Sequence, residues 1–321
     1  MKLAVLAFLF PTIFSYSTAT PSYSDYHRSV ITIEELLVAK QFQEALAGYE
    51  QLLSTYDFVF LRDLVVASQL AAYQDEEETA CAWIRRGIAA GWTWKGLKKV
   101  PVLKEKLSPE SWQMLKEDYE ALHAQYQSWA YTPLRDEMKT LVQADQRKAF
   151  RVFLRITDKG QTRAAERIAA PQSEQHVREI ERIMNTHGYP GEQLIGNNTW
   201  GSMLLSHHNS ISQAYTLQDE LYPQLRPLLQ AAWERGELSP YEWALMEDWR
   251  KVAVTEHQQT VYGFLGAIAD AEAAQDVDRN RAKIGLRSLA LRNALFDLAE
   301  ETKINFYLPG GTWQPGKIEV P

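Results

Sequence analysis

Cysteine is almost absent. Cys81 is the only one in 321 residues, so an intrachain disulfide and a thiolate zinc cluster are both excluded and stability must come from packing. It lies among Ala80, Ala82, Trp83 and Ile84, a small-residue helical setting that reads as a buried inert thiol rather than a nucleophile. Glycine (16) and proline (13) are scarce, while residues that lose little on entering a helix, such as Ala, Leu, Glu, Gln and Arg, are plentiful. The composition therefore predicts an all-α chain. Hydrophobic residues at 45% and charged residues at 23% exclude a mostly disordered chain and a multi-span membrane protein. The net charge of −7 disfavours nucleic acid as a partner.

Catalytic signatures are missing too. There is no Gly-x-Ser-x-Gly, no phosphate loop, no His-Glu-x-x-His and no cysteine pair, so no reaction, cofactor or metal is expected from motifs alone. The longest apolar run, Leu3 to Phe14, follows Lys2 and is broken by Pro11. Its length of about twelve residues falls short of the roughly 20 of a membrane-spanning helix. With Ser17 and Ala19 at the small-residue positions of a cut, residues 1–19 read as a signal peptide; the mature chain is expected to be exported, periplasmic or extracellular, with no integral span.

The length fits two units. In the first, residues 26–127, Ile33, Leu36 and Leu37, then Phe42, Ala45, Tyr49, Leu52 and Leu53, have helical spacing and read as one hairpin. A second runs from Leu61 to Ala71, breaks at Gln74-Asp75 and resumes through Ala80, Ile84 and Ile88. Ala45 and Ala80 stand 35 residues apart, close to the roughly 34-residue tetratricopeptide period, so these hairpins resemble a degenerate tetratricopeptide region. The acids Asp75 to Glu78 complement a helix N-terminus. The basic stretch from Arg85 to Lys106, with Trp92 and Trp94, reads as a solvated edge or an anion-binding patch. Ser108-Pro109 caps a further helix, and Ser128–Thr132 is the candidate linker.

The second unit, residues 132–300, is expected to be helical, with a loop-like tail over 301–321. Asp145 falls on an apolar stripe with Met138, Leu141 and Val142 and therefore requires a partner. Ser173 is placed as a helix cap, and His187-Gly188 as that helix's end. His207 shares a face with Trp200, Met203 and Leu204, as either a core histidine or a site histidine. Ser239 to Glu242 forms a capping box, and Asp248 borders the inward stripe of the helix that follows. Glu247 pairs with Lys251 by spacing, and His257 is half a turn out of phase with Asp248.

The order of Asp145-Gln146, Gly188-Tyr189-Pro190, Leu204 to His207, Gly236 to Ser239, Leu245 to Asp248, Tyr262-Gly263, and Val277-Asp278 with Arg281 resembles an uncharacterised bacterial family, domain of unknown function 6624. That resemblance implies a helical domain behind tetratricopeptide-like hairpins and a polar cluster, without an activity. It departs from the family in having Trp249 where an arginine follows the aspartate. Two functions are expected. The first is an exported adaptor that binds a peptide or protein through its hairpins. The alternative is an enzyme whose site gathers Asp145, His207, Asp248, Asp278 and Arg281, with His207 as general base and Arg281 holding an anionic group.

Overall fold

Ser22 accepts the amide of Asp25 and so starts the first helix, earlier than the apolar spacing alone predicts. The computed structural model describes residues 22–153, 157–256, 258–307 and 316–320. The segment read as a signal peptide, His257 and Pro309-Gly310-Gly311 lie outside the described residues.

Every regular element among the described residues is helical. The chain opens with α1 (Tyr23–Val38), α2 (Phe42–Thr55), α3 (Leu61–Tyr73) and α4 (Glu77–Ala89). Short α5 (Trp94–Leu97) and α6 (Pro101–Lys106) lead to α7 (Pro109–Trp129) and α8 (Thr132–Phe153). Then come α9 (Asp158–Ala164), a π-turn (Ala165–Ala169), α10 (Ala170–His187), α11 (Glu192–Ile195) and α12 (Trp200–Asn209). The remainder is α13 (Gln213–Gln218), α14 (Leu221–Glu234), α15 (Pro240–Val254), α16 (Ala271–Lys283) and α17 (Leu289–Thr302). No helix among the described residues is long and apolar enough to cross a membrane.

The pairs α1–α2 and α3–α4 are hairpins closed by the same turn. Lys40 and Asp75 are both left-handed, with φ 59° and 60°, and each donates to the carbonyl three residues before it, Leu37 and Ala72. Helix α3 is buried on nearly all sides, from Leu61 to Ala72. Part of that burial comes from the far end of the chain, because Leu295, Leu298, Ile304 and Phe306 share one core with Tyr26, Leu37, Leu64 and Ala67. Gln69 and Asn305 exchange two hydrogen bonds, at 2.9 and 3.2 Å. The last helix and the start of the tail thus belong to the first unit's core, which their position in the sequence does not indicate.

Part of the basic stretch, which begins inside α4, is paired locally. Arg86 donates to the carbonyls of Leu53 and Tyr56, Arg85 pairs with Asp118, and Lys106 pairs with Asp75. The linker is short and held, with Ala130 buried and the Tyr131 amide bonded to the Leu194 carbonyl. Ser173 is not a cap: it lies inside α10. Pro171, which has no N–H to donate, enters the helix right after the π-turn, whose wider ladder makes room for it.

A buried polar seam joins the two units. Arg287 pairs with Glu34 at 2.5 Å, both almost wholly buried; burial raises the Glu34 pKa and Arg287 opposes it. Gly285, at φ +72°, packs so closely on α1 that an added Cβ would lie 2.5 Å from His27 Cβ. Gly285→Ala therefore combines a left-handed backbone penalty with overpacking, and a loss of about 2–4 kcal/mol is expected in urea denaturation. A midpoint equal to the parent's would mean that this junction is not packed as described.

Candidate functional site

Two helical stripes face each other in the C-terminal half. Just before and along α12, Thr199, Ser202, Met203, Ser206 and His207 recur at i, i+3, i+4, i+7 and i+8, which puts them on one face. Tyr241, Glu242, Leu245 and Trp249 answer from α15, and Phe264 closes one side from the loop beyond it. They enclose a cavity of about 340 Å³. Small serines stand on the α12 stripe where leucines would fill the gap, so the helices pack around the space without closing it.

His207 sits at the cavity edge. Its Nδ1 lies 2.6 Å from Asp145 Oδ2, with the two side chains 38% and 13% exposed. Asp145 reaches it from α8, on the apolar stripe whose phase demanded a partner. A carboxylate on Nδ1 selects the tautomer with the lone pair on Nε2, and it stabilises the imidazolium that forms when Nε2 takes a proton. Nε2 makes no hydrogen bond with any described residue. His176, buried on α10, feels the Asp145 charge, but burial dominates and lowers its pKa, keeping it neutral.

The other three sequence-nominated residues stand elsewhere. Asp248 has no exposed surface and accepts four amides: Val261 and Tyr262 at 2.7 and 2.9 Å, Phe264 and Leu265 at 2.7 and 3.3 Å. Asp278 accepts the Leu289 amide at 2.8 Å, at the start of α17. Arg281 donates to the carbonyls of Arg287 and Tyr262 at 2.6 and 2.5 Å, and burial lowers its pKa to about 10. None of the three lines the cavity, so the anion-holding role expected of Arg281 has no geometry behind it. Helical phase placed Asp248 beside an inward stripe and the resemblance named Asp278 and Arg281, but neither signal tells whether such a group meets a cavity or a backbone.

His208, next to His207, turns into the core. Its Nδ1 meets Ser173 Oγ at 3.0 Å and its Nε2 meets Asp219 Oδ1 at 3.1 Å, while Arg250 holds the other Asp219 oxygen. Burial works against the Asp219 charge, yet the His208 and Leu221 hydrogen bonds and Arg250 bring its pKa down to about 2. Ser173 and His208 are buried and do not line the cavity, so this network braces α10, α12 and α15. Glu247 bonds Arg226 and Tyr222 in place of Lys251.

Tyr241, Glu242, Ser202 and Ser206 escaped the sequence reading as site residues. Glu242 completes the capping box as expected, but it also accepts Tyr189 and Ser202 hydroxyls at 3.2 and 3.0 Å. Arg62, from α3, lies 3.8 Å over the Tyr241 ring and donates to its hydroxyl at 2.9 Å. The hairpin unit thereby fixes one wall of the cavity. Among the described residues no group of three or more His, Cys, Asp or Glu is placed to hold a metal ion. Comparison with family models, curated proteins and solved structures finds no match.

Proposed function

We propose that this protein is an exported enzyme that binds a small organic molecule between α12 and α15 and uses His207, oriented by Asp145, as a general base. The observation that carries the reading is the 2.6 Å Nδ1–Oδ2 hydrogen bond, which leaves Nε2 without a partner among the described residues, on a side chain that lines a cavity of ligand size. The resemblance to domain of unknown function 6624 includes Asp145 and the segment ending at His207 among its matching pieces, which nominates the pair as a polar cluster without assigning it a reaction. The reaction class is proton removal from water or from a substrate hydroxyl, as in ester or amide hydrolysis.

The test is turnover of a panel of neutral carboxylic esters and amides by the mature chain. His207→Gln is expected to lower kcat/KM by about 10²–10⁴-fold, and Asp145→Asn to lower it less. Long-range ¹⁵N correlation spectra should show the Nδ1–H tautomer of His207 in the parent and its loss in Asp145→Asn. Turnover that survives His207→Gln overturns the reading.

A second reading, the peptide-binding adaptor, is supported by the recurring hairpin turns and by a groove of about 750 Å³ between α1 and α2, lined by Arg28, Thr32, Leu36, Glu44 and Gln51. It has less support, because the chain's own residues 295–306 pack on the α1–α3 side of the hairpins. Recovery of a protein partner from the exported fraction that depends on this groove would favour it.

A further inference from the structure

Besides His207 Nε2, Ser206 is a lining group with an unmet demand. The residue is 2% exposed and lines the cavity, and its hydroxyl, itself buried, has no hydrogen-bond partner among the described residues. A buried hydroxyl left unpaired is costly, and the apolar side chains in the same lining, Met203, Leu245 and Phe264, do not satisfy it. A bound molecule with a carbonyl, hydroxyl or amide at that point would satisfy it.

The charge of that molecule follows from the same lining. No lysine or arginine is among the described lining residues: Arg62 lies behind the Tyr241 ring and bonds its hydroxyl, and His207 is held by Asp145, so a carboxylate or phosphate entering the cavity would meet little direct compensation for its lost hydration. Glu242, the lining carboxylate, already receives Tyr189 and Ser202 on Oε1 and the Ser239 amide and hydroxyl on Oε2. Its charge is compensated by the protein and leaves little to recruit a cation. We infer that the cavity takes a neutral, mainly apolar molecule, about the size of a bicyclic aromatic, which presents one hydrogen-bonding group to Ser206 and thereby stands beside His207. This inference rests on the reading of the cavity as a ligand site and narrows its substrate class. Ser206 is a specificity residue in it, and the proton acceptor remains His207.

Three isosteric probes differing only in charge test it: 2-naphthamide, 2-naphthoate and 2-naphthamidine, each titrated calorimetrically into the mature full-length chain. The neutral amide is expected to bind, with the two ions at least tenfold weaker. Ser206→Ala should weaken the amide about five- to tenfold. The same variant should keep or raise the melting temperature, because it deletes an unsatisfied group, so weakened binding will not be confused with misfolding. His207→Gln should still bind the amide. Equal or tighter binding of either ion, amide binding unaffected by Ser206→Ala, or no binding of the amide each overturn the inference. Amide binding with this pattern, together with turnover that survives His207→Gln, would remove the general-base reading and leave the ligand class standing. Loss of turnover in His207→Gln together with preferred binding of the naphthoate would do the reverse.

Discussion

Asp248→Ala is expected to remove much of the protein's stability, although the residue touches no ligand. Its carboxylate gathers the amides of Val261, Tyr262, Phe264 and Leu265, so it replaces the ladder that this non-helical segment lacks. Burial raises the carboxyl's pKa and those amides oppose it; every backbone partner is a donor, which suits the charged form. Truncation orphans four amides in a segment that is mostly buried, at about 1–3 kcal/mol each, so a loss of at least roughly 4 kcal/mol is expected. That is a large part of a typical total of about 5–15 kcal/mol. Asp248→Asn should be nearly as damaging, because its NH₂ would face two amide donors across the Oδ2 position. Phe264, which closes the cavity, should lose its place in both variants. Chemical denaturation and near-ultraviolet circular dichroism check this; an Asp248→Asn protein with the parent's midpoint would show that the segment holds itself.

The second large effect is a pH dependence set by Glu192. This residue opens α11 and accepts the Leu61 amide at 2.6 Å, where the hairpins meet the second unit. Burial pushes its pKa up to about 8, with the Leu61 amide opposing. A carboxyl whose folded pKa is raised keeps its proton in the native state while the unfolded chain releases it. Its contribution is therefore greatest below the unfolded value near 4.5, falls as pH rises through the interval up to about 8, and is constant above that. At about 1.4 kcal/mol per unit the full loss is at most roughly 5 kcal/mol. Glu192→Gln keeps an oxygen for Leu61 and never ionises, so it should match the parent near pH 4 and exceed it at pH 8. Urea midpoints at both pH values decide it: parallel pH profiles for the two proteins would show that Glu192 titrates normally.

The legible part of this protein was whatever depends on neighbours in the chain. Helical spacing located the hairpins, the break at Asp75 and the stop at Gly188, because caps, left-handed turns and apolar periodicity act within a few residues. Asp145 and His207 could be nominated for the same reason: each lies in phase with apolar neighbours, and a charge in that position demands a partner. A local signal misleads where it has two meanings. Ser173 looks like a cap beside Pro171, yet a π-turn carries the helix through and frees the serine to bond His208.

Asp248, Asp278 and Arg281 show the limit of local signals as a guide to chemistry. Asp248 and Arg281 are buried and Asp278 is half-buried, and all three meet backbone amides or carbonyls, from 6 to 19 residues away. Ser202, Ser206 and Tyr241 show the converse, since a serine on a helix or a tyrosine behind a proline carries no mark of a cavity. By itself the sequence determined the all-α class, the breaks between the hairpin helices, the capping box and the demand that Asp145 find a partner, all matters of short-range geometry along a helix. Only the tertiary structure decided that these two meet at 2.6 Å, that α17 and the tail complete the hairpins' core, and that small residues on α12 face α15 across an open space. Those facts depend on which distant surfaces come together, and a void is a property of two surfaces at once, which no single stretch of chain encodes.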